Sequence, residues 1–252
     1  MPTDPHQVWR ADQYATNARF VSDLGLPVVQ LLDPKPGERI LDLGCGDGAL
    51  TRRLVDLGCR VVGVDAGADM VAAARAAGID ARVVDGHDLR FRAEFDAVFS
   101  NAALHWMKEP HRVVAGVRAA LVPSGRFVGE FGGRGNVATI LGALDAALAR
   151  RGIDAATLSP FWFPDVDEYR GLLEAHGFAV QALDLFPRPT PLPGSLVAWL
   201  ETFAQPFGSV LPADERPALL AEVAEACRPA LCDSAGRWQA DYVRLRFAAR
   251  LA

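Results

Sequence analysis

The chain has 252 residues, half of them hydrophobic and 23% charged, with a formal net charge of −5. That is enough apolar material for one α/β domain with a sizeable core, and an acidic chain without a basic stripe speaks against a nucleic-acid surface. No apolar run approaches the ~18 residues of a membrane span, the opening Met1-Pro-Thr-Asp-Pro-His6 lacks the pattern of an export signal, and Cys45, Cys59, Cys227 and Cys232 have neither Cys-x-x-Cys nor zinc-ligand spacing, so a cytoplasmic chain with reduced thiols, no metal and no membrane partner is expected.

Val8 to Leu32 reads as two helical pieces separated near Gly25 and Pro27, with Trp9, Tyr14 and Phe20 as bulky members able to pack against a sheet. Pro34-Lys-Pro-Gly37 stops the helix and opens the central fold. Next, Arg39-Ile-Leu-Asp-Leu-Gly-Cys-Gly-Asp-Gly-Ala-Leu50 is an apolar strand that breaks into glycines and restarts as a helix near Ala49. Gly44, Gly46 and Gly48 tolerate positive φ and let backbone N–H groups approach a ligand, while the helix dipole points its positive end into the same space.

The glycine spacing discriminates between ligands. A dinucleotide fingerprint needs Gly-x-Gly-x-x-Gly, but the third glycine stands one residue early, at Gly48, and a phosphate-binding P-loop needs a lysine that this turn lacks. Arg60-Val-Val-Gly-Val-Asp65 is a second buried strand ending in an acid about 20 residues past the first glycine, where a carboxylate grips a ribose diol.

With these residues in place, Leu41-Asp-Leu-Gly-Cys-Gly-Asp-Gly48 followed by Val64-Asp65 resembles the class I S-adenosylmethionine (SAM)-dependent methyltransferases. The resemblance implies a loop of Gly44, Cys45, Gly46 and Gly48 along the methionine part of SAM, Asp42 near its amino group and Asp65 on the ribose hydroxyls, with Ala66 and Met70 in the same cofactor set. It further implies that Asp85 takes the adenine amino group while the Gly86 N–H meets the ring, and that Asn101, Ala102 and Trp106 complete the cofactor site. The Trp9-x-x-x-x-Tyr14 arrangement is similar to the N-terminal segment of small-molecule methyltransferases, where such a helix caps the pocket and a tyrosine can face the reacting methyl; core packing is the alternative.

Further along, Ala68 to Ala77 reads as a helix closed by Gly78, and Ala81 to Val84 as the third strand. His87 is expected as an exposed loop histidine. Phe95 to Ser100 is a near-continuous apolar strand, suited to a sheet covered on both faces. Ser100-Asn-Ala-Ala-Leu-His-Trp106 at its carboxyl end resembles the trans-aconitate and carrier-protein malonyl methyltransferases, both of which methylate carboxylates, although those relatives carry glutamine where His105 stands. His105 can serve as a general base or hydrogen-bond donor, or can merely contact cofactor; Trp106 can wall the methyl donor or fill core.

Met107 to Leu121 reads as a helix, Pro123-Ser-Gly125 as a turn and Arg126 to Phe131 as the fifth strand, running into Gly132-Gly-Arg-Gly-Asn136. Glu130 and Arg134 there are candidate substrate contacts, the arginine suiting a carboxylate, and Trp162 of the aromatic turn Ser159–Pro164 is another. Helices over Val137–Arg151 and Asp165–His176 and a sixth strand over Phe178–Leu185 precede an insertion carrying helices at Leu196–Phe203 and Asp214–Arg228. Trp238 to Ala248 returns as the last strand, in which Arg244, Arg246 and Arg250 alternate with Val243, Leu245 and Phe247 and read as a solvated face.

The expectation is therefore a doubly wound, seven-stranded, mostly parallel α/β sheet with one antiparallel strand: residues 1–33 as cap helices, 34–186 and 237–252 as the core, and 187–236 as a helical lid. The resemblance implies direct displacement of the SAM methyl group onto a small-molecule carboxylate, hydroxyl, amine or carbon, leaving S-adenosylhomocysteine (SAH); the sequence leaves monomer and homodimer both open. A nicotinamide oxidoreductase is expected to carry Tyr-x-x-x-Lys, and a nucleic-acid methyltransferase Asn/Asp-Pro-Pro-aromatic where this chain has Asn101-Ala-Ala-Leu104. A SAM-binding protein without turnover and a lipid or natural-product C-methyltransferase are the remaining alternatives.

Overall fold

The apolar runs assemble into one seven-stranded sheet in the computed structural model, which describes Gln7, Trp9 and residues 24–252. In chain order the described elements begin with α1 (Leu26–Leu32), β1 (Arg39–Leu43), α2 (Ala49–Asp56), β2 (Arg60–Asp65), α3 (Ala68–Ala76), β3 (Asp80–Val83) and β4 (Phe95–Asn101). Next come α4 (Pro110–Ala120), β5 (Leu121–Gly132), α5 (Ala138–Ala149), α6 (Val166–Ala175) and β6 (Phe178–Pro187). The short β7 (Thr190–Pro191), the helices α7 (Leu196–Phe203), α8 (Gln205–Ser209) and α9 (Arg216–Leu231), the short β8 (Gln239–Ala240) and finally β9 (Val243–Leu251) complete the chain.

The strand order is β3-β2-β1-β4-β5-β9-β6, and β9 alone runs antiparallel to its neighbours β5 and β6. Since β1 pairs with both β2 and β4, the winding reverses between β1 and β4, and the carboxyl ends of these strands open a crevice there. Ser100 Oγ, in β4, donates to the Leu43 carbonyl at 2.7 Å, which ties the two strands together where the crevice begins.

Phe95, Phe127, Phe131, Tyr169 and Phe247 fill one face of the sheet; Val28, Leu32, Ile40, Leu54 and Phe99 fill the other. A third core joins α5 to the insertion, with Ile140 and Leu144 packed among Trp199, Leu200, Leu219 and Val223. The helix after β5 thus packs with the insertion helices.

Expected boundaries move: the turn expected over Pro123–Gly125 falls within β5, which starts at Leu121 and not at Arg126. The helix expected from Met107 starts at Pro110, after a 3₁₀ turn over Leu104–Trp106, because proline is accommodated in a first helical turn where no N–H is needed. The last strand starts at Val243, because β8 turns aside to pair with β7 and closes the two ends of the insertion. The solvated face expected for the last strand is also corrected: β9 lies inside the sheet, so Arg244 is only 4% exposed, and of the three arginines Arg250 alone is exposed.

Candidate active site

A cavity lies over the carboxyl ends of β1, β2 and β4, and the glycine turn forms its floor. The Gly44 and Cys45 N–H groups both donate to the Val64 carbonyl, at 2.8 and 3.0 Å, and fold the turn back over β2. Gly44 sits at φ +79°, and a Cβ there would lie 2.1 Å from the Ala103 Cβ, so the turn after β1 and the turn after β4 touch only because no side chain intervenes. Asp65 is held between two backbone donors: the Gly46 N–H reaches Oδ2 at 3.0 Å and the Gly67 N–H reaches Oδ1 at 2.8 Å. Burial pushes this carboxyl above its usual range, and the two N–H groups work against that.

Gly44, Gly46, Asp65, Ala66 and Met70 all line the cavity. Asp42, Cys45 and Gly48 support it from beneath and do not line it. Asp42 is 2% exposed, accepts from Thr51 Oγ1 at 2.6 Å, and is raised to about 7, chiefly by burial and in part by the charge of Asp65. The Cys45 sulfur packs against Gly63, and Gly48 is the left-handed N-cap of α2, at φ +83°, where a Cβ would press on Ile79 and Ala74.

Asp85 and Gly86 line the next wall. His87 departs from expectation: its side chain is 7% exposed, not solvated, because Nδ1 contacts Asp85 Oδ1 at 2.7 Å while Nε2 accepts from the Glu109 N–H at 3.4 Å. Both His87 contacts to the Asp85 side chain, through Nδ1 and the backbone N–H, use the same oxygen, Oδ1. A Cβ on Gly86 would lie 2.7 Å from the Met107 sulfur, which itself lines the cavity.

The opposite side is aromatic. Asn101 and Ala102 leave β4, Ala102 with the unusual φ of +56° and its N–H donated to the Glu130 carbonyl at 2.7 Å. Trp106 stands edge-on to Trp9 at 4.8 Å and packs on Phe161 at 4.7 Å, and Trp9 reaches Phe203 at 6.2 Å. His105 is buried, and its Nδ1 accepts from the Gly132 N–H at 3.2 Å. Burial, reinforced by the Arg244 charge, holds its pKa well below the usual histidine value. A neutral imidazole accepting at Nδ1 carries its proton on Nε2, so His105 is arranged as a donor.

Three expected substrate contacts lie elsewhere. Glu130 is 1% exposed and gripped by Arg188 and Arg246, both at 2.7 Å, which leaves its carboxylate in an ion triad and outside the cavity lining. Arg134 is exposed on the surface and pairs with Asp165 at 2.9 Å. Trp162 turns away, stacks on Phe131 and donates from Nε1 to Glu168. Tyr14 lies outside the described residues.

In their place the cavity gains Phe161, Phe203, Tyr242 and Arg244. Phe161 comes from the aromatic turn that the sequence marked; Arg244 was hidden by its apparent alternation. The Arg244 guanidinium lies 4.3 Å from the Tyr242 ring centroid, and the Tyr242 oxygen accepts from Trp199 Nε1 at 2.6 Å.

Residues 41–129 match the family model described as a methyltransferase domain. The chain is 40% identical to an uncharacterised methyltransferase of Schizosaccharomyces pombe over 97% of its own length and 98% of that protein's. It is 34% identical to a trans-aconitate 2-methyltransferase of Mycobacterium tuberculosis over 57% of this chain and 55% of that one. In fold it is similar to the crystal structure of a methyltransferase from Bacillus halodurans, with a TM-score of 0.62 at 17% identity, covering 89% of this chain and 97% of the other. No helix among the described residues is long and apolar enough to cross a membrane.

Proposed function

The chain belongs to the class I SAM-dependent methyltransferases, and from that premise we propose that it methylates a small molecule held in the aromatic half of the cavity. When bound, SAM supplies an electrophilic methyl group on a positively charged sulfur. The residues present fit it: the bare turn at Gly44 and Gly46 lines the cavity, a Cβ at Gly46 meeting nothing nearer than Met70 Cε at 3.4 Å, and two carboxylates, Asp65 and Asp85, line the wall. In this reading Asp65 holds the ribose hydroxyls, Asp85 takes the adenine amino group beside the Gly86 N–H, and the turn around Gly44 and Gly46 carries the methionine end, with the Asp42 carboxyl beneath it.

The protein's own contribution is alignment and exclusion of water. Trp9, Trp106, Phe161 and Phe203 form an apolar enclosure for a flat acceptor, and His105 directs Nε2–H toward an acceptor oxygen. Residues 187–236 act as the lid, a role supported by Phe203 meeting Trp9 at the cavity wall; most of the expected cap segment 1–33 lies outside the described residues. Four free thiols support a reducing, cytoplasmic setting.

The observation that carries the reading is one cavity with two carboxylates and a glycine turn on one side and the rings of Trp9, Trp106, Phe161, Phe203 and Tyr242 on the other. Its test is incubation of the purified chain with methyl-labelled SAM and a panel of small acids, phenols and amines, trans-aconitate among them. Label in a low-mass product with equal SAH is the expected result. SAH binding without turnover of any of these would reassign the chain as a binding protein.

A further inference from the structure

We propose that His87 is a positioning residue for the cofactor: it locks the Asp85 carboxylate so that Oδ2 is the oxygen offered to the adenine amino group, an inference that rests on the methyl-transfer reading above. His87 does not line the cavity, whereas Asp85 and Gly86 do. It acts from behind the wall, through the carboxylate.

Asp85 is held at one oxygen. It follows β3 and caps the 3₁₀ turn Gly86–Asp88, its Oδ1 accepting the His87 backbone N–H at 2.9 Å. That contact alone leaves the plane of the carboxyl group free to turn, because the last torsion of an aspartate is broad. The His87 ring supplies a second hold on the same atom, with Nδ1 2.7 Å from Oδ1. Two donors on one oxygen, one from the backbone and one from the end of a side chain, restrict both the position and the plane of the group.

The ring is itself anchored. Its Nε2 accepts the Glu109 N–H at 3.4 Å, just before α4, and the His87 side chain is 7% exposed against 26% for Asp85. An imidazole that accepts at Nε2 carries its proton on Nδ1, so Nδ1–H donates to Oδ1. The hold therefore runs from the backbone ahead of α4, through the ring, to a single carboxylate oxygen, and among the described residues no hydrogen bond is made to Oδ2. An acceptor oxygen beside the Gly86 N–H complements one edge of adenine, where an amino donor adjoins a ring-nitrogen acceptor. Fixing that oxygen in advance removes an ordering cost from cofactor binding, and the gain goes only to a ligand that carries the amino group.

The test is calorimetric titration of the full chain with SAH and with its 6-deamino analogue, in which purine replaces adenine. Wild type should prefer SAH by about ten-fold or more, the worth of a hydrogen bond to a charged group. In His87→Leu the preference should fall to within about three-fold through loss of SAH affinity, while the Kd of the analogue moves by less than about two-fold. His87→Asn, whose amide nitrogen stands where Nδ1 stands, should keep the preference. Asp85→Ala should erase it, and adding His87→Leu to that variant should cost no further SAH affinity, since a residue acting through Asp85 then has nothing to position. A preference that survives His87→Leu, a loss shared equally by both ligands, or additive losses in the double variant overturns the proposal. His87→Gln, whose donor lies farther from the backbone, decides the question in the same terms if the leucine variant does not fold. SAH bound with no preference for the amino group overturns the proposal together with the adenine role of Asp85 and leaves methyl transfer standing; a chain that does not bind SAH fails the methyl-transfer reading, and the proposal with it.

Discussion

The two sides of the cavity are made in opposite ways. The proposed cofactor side comes mainly from one contiguous stretch, residues 42–86, in which three strand ends deliver backbone N–H groups and two carboxylates into the crevice, with Asn101 and Ala102 added at the end of β4. The acceptor side is gathered from distant places: Trp9 near the start, Trp106 after β4, Phe161 before α6, Phe203 at the end of α7 and Arg244 in β9. A ligand shared by a whole family can be bound by a local motif, whereas an acceptor particular to one enzyme is bound by whatever the lid and the sheet edge bring together. The difference teaches that the two sides should fail independently.

Gly44→Val gives the largest effect. The added side chain collides with Ala103 and must adopt φ +79°, so SAH affinity should fall about 100-fold or more, equivalent to about 2.7 kcal/mol. Calorimetry reads the loss, and an affinity within ten-fold of wild type would break the assignment of the turn. Asp65→Ala follows, with a cost of roughly 1–3 kcal/mol in SAH binding from lost charge-assisted hydrogen bonds; unchanged affinity removes Asp65 from the ribose role.

Phe161→Ala sharpens the comparison from the other side. Acceptor KM should rise by about ten-fold while the SAH Kd moves by less than about two-fold, since the ring packs on Trp106 and contributes on the order of 1 kcal/mol. A parallel loss of SAH binding would merge the two sides into one. His105→Gln tests the boundary between them: turnover should fall with SAH affinity retained. Because the folded pKa of His105 lies below its unfolded value of about 6.5, its neutral form contributes stability that is present above pH 6.5 and is lost as pH falls below it. The wild type should therefore lose more Tm than the variant on acidification from pH 7 to 5, and identical slopes would show that the imidazole is not held neutral.

The same contrast explains what could be read from the sequence. The strand–glycine–helix turn and Asp65 were readable because their spacing is fixed by local geometry, whereas Asp85 and the seven-stranded sheet with one reversed strand were expected through the family resemblance that this turn carries. Arg244 was misread because alternation of charged and apolar residues looks identical for an edge strand and for a strand paired on both sides. Glu130 and Arg134 stood at the expected sheet edge, but their side chains were claimed by Arg188, Arg246 and Asp165, partners remote in sequence. His87 was taken as solvated because nothing in the local sequence reveals that Asp85 and the Glu109 N–H would enclose its ring. Trp162 and Phe161 are neighbours in one aromatic turn, and only the packing decides which of them faces the cavity.

The most direct measurement is parallel titration of the purified chain with SAM, SAH and NADH. Micromolar binding of the first two, with no heat from NADH, is the result that a glycine turn closed by Gly48 and a ribose-holding Asp65 require. Binding of NADH, or of none of the three, would contradict the reading of the turn at Gly44 on which both sides of the cavity have been assigned.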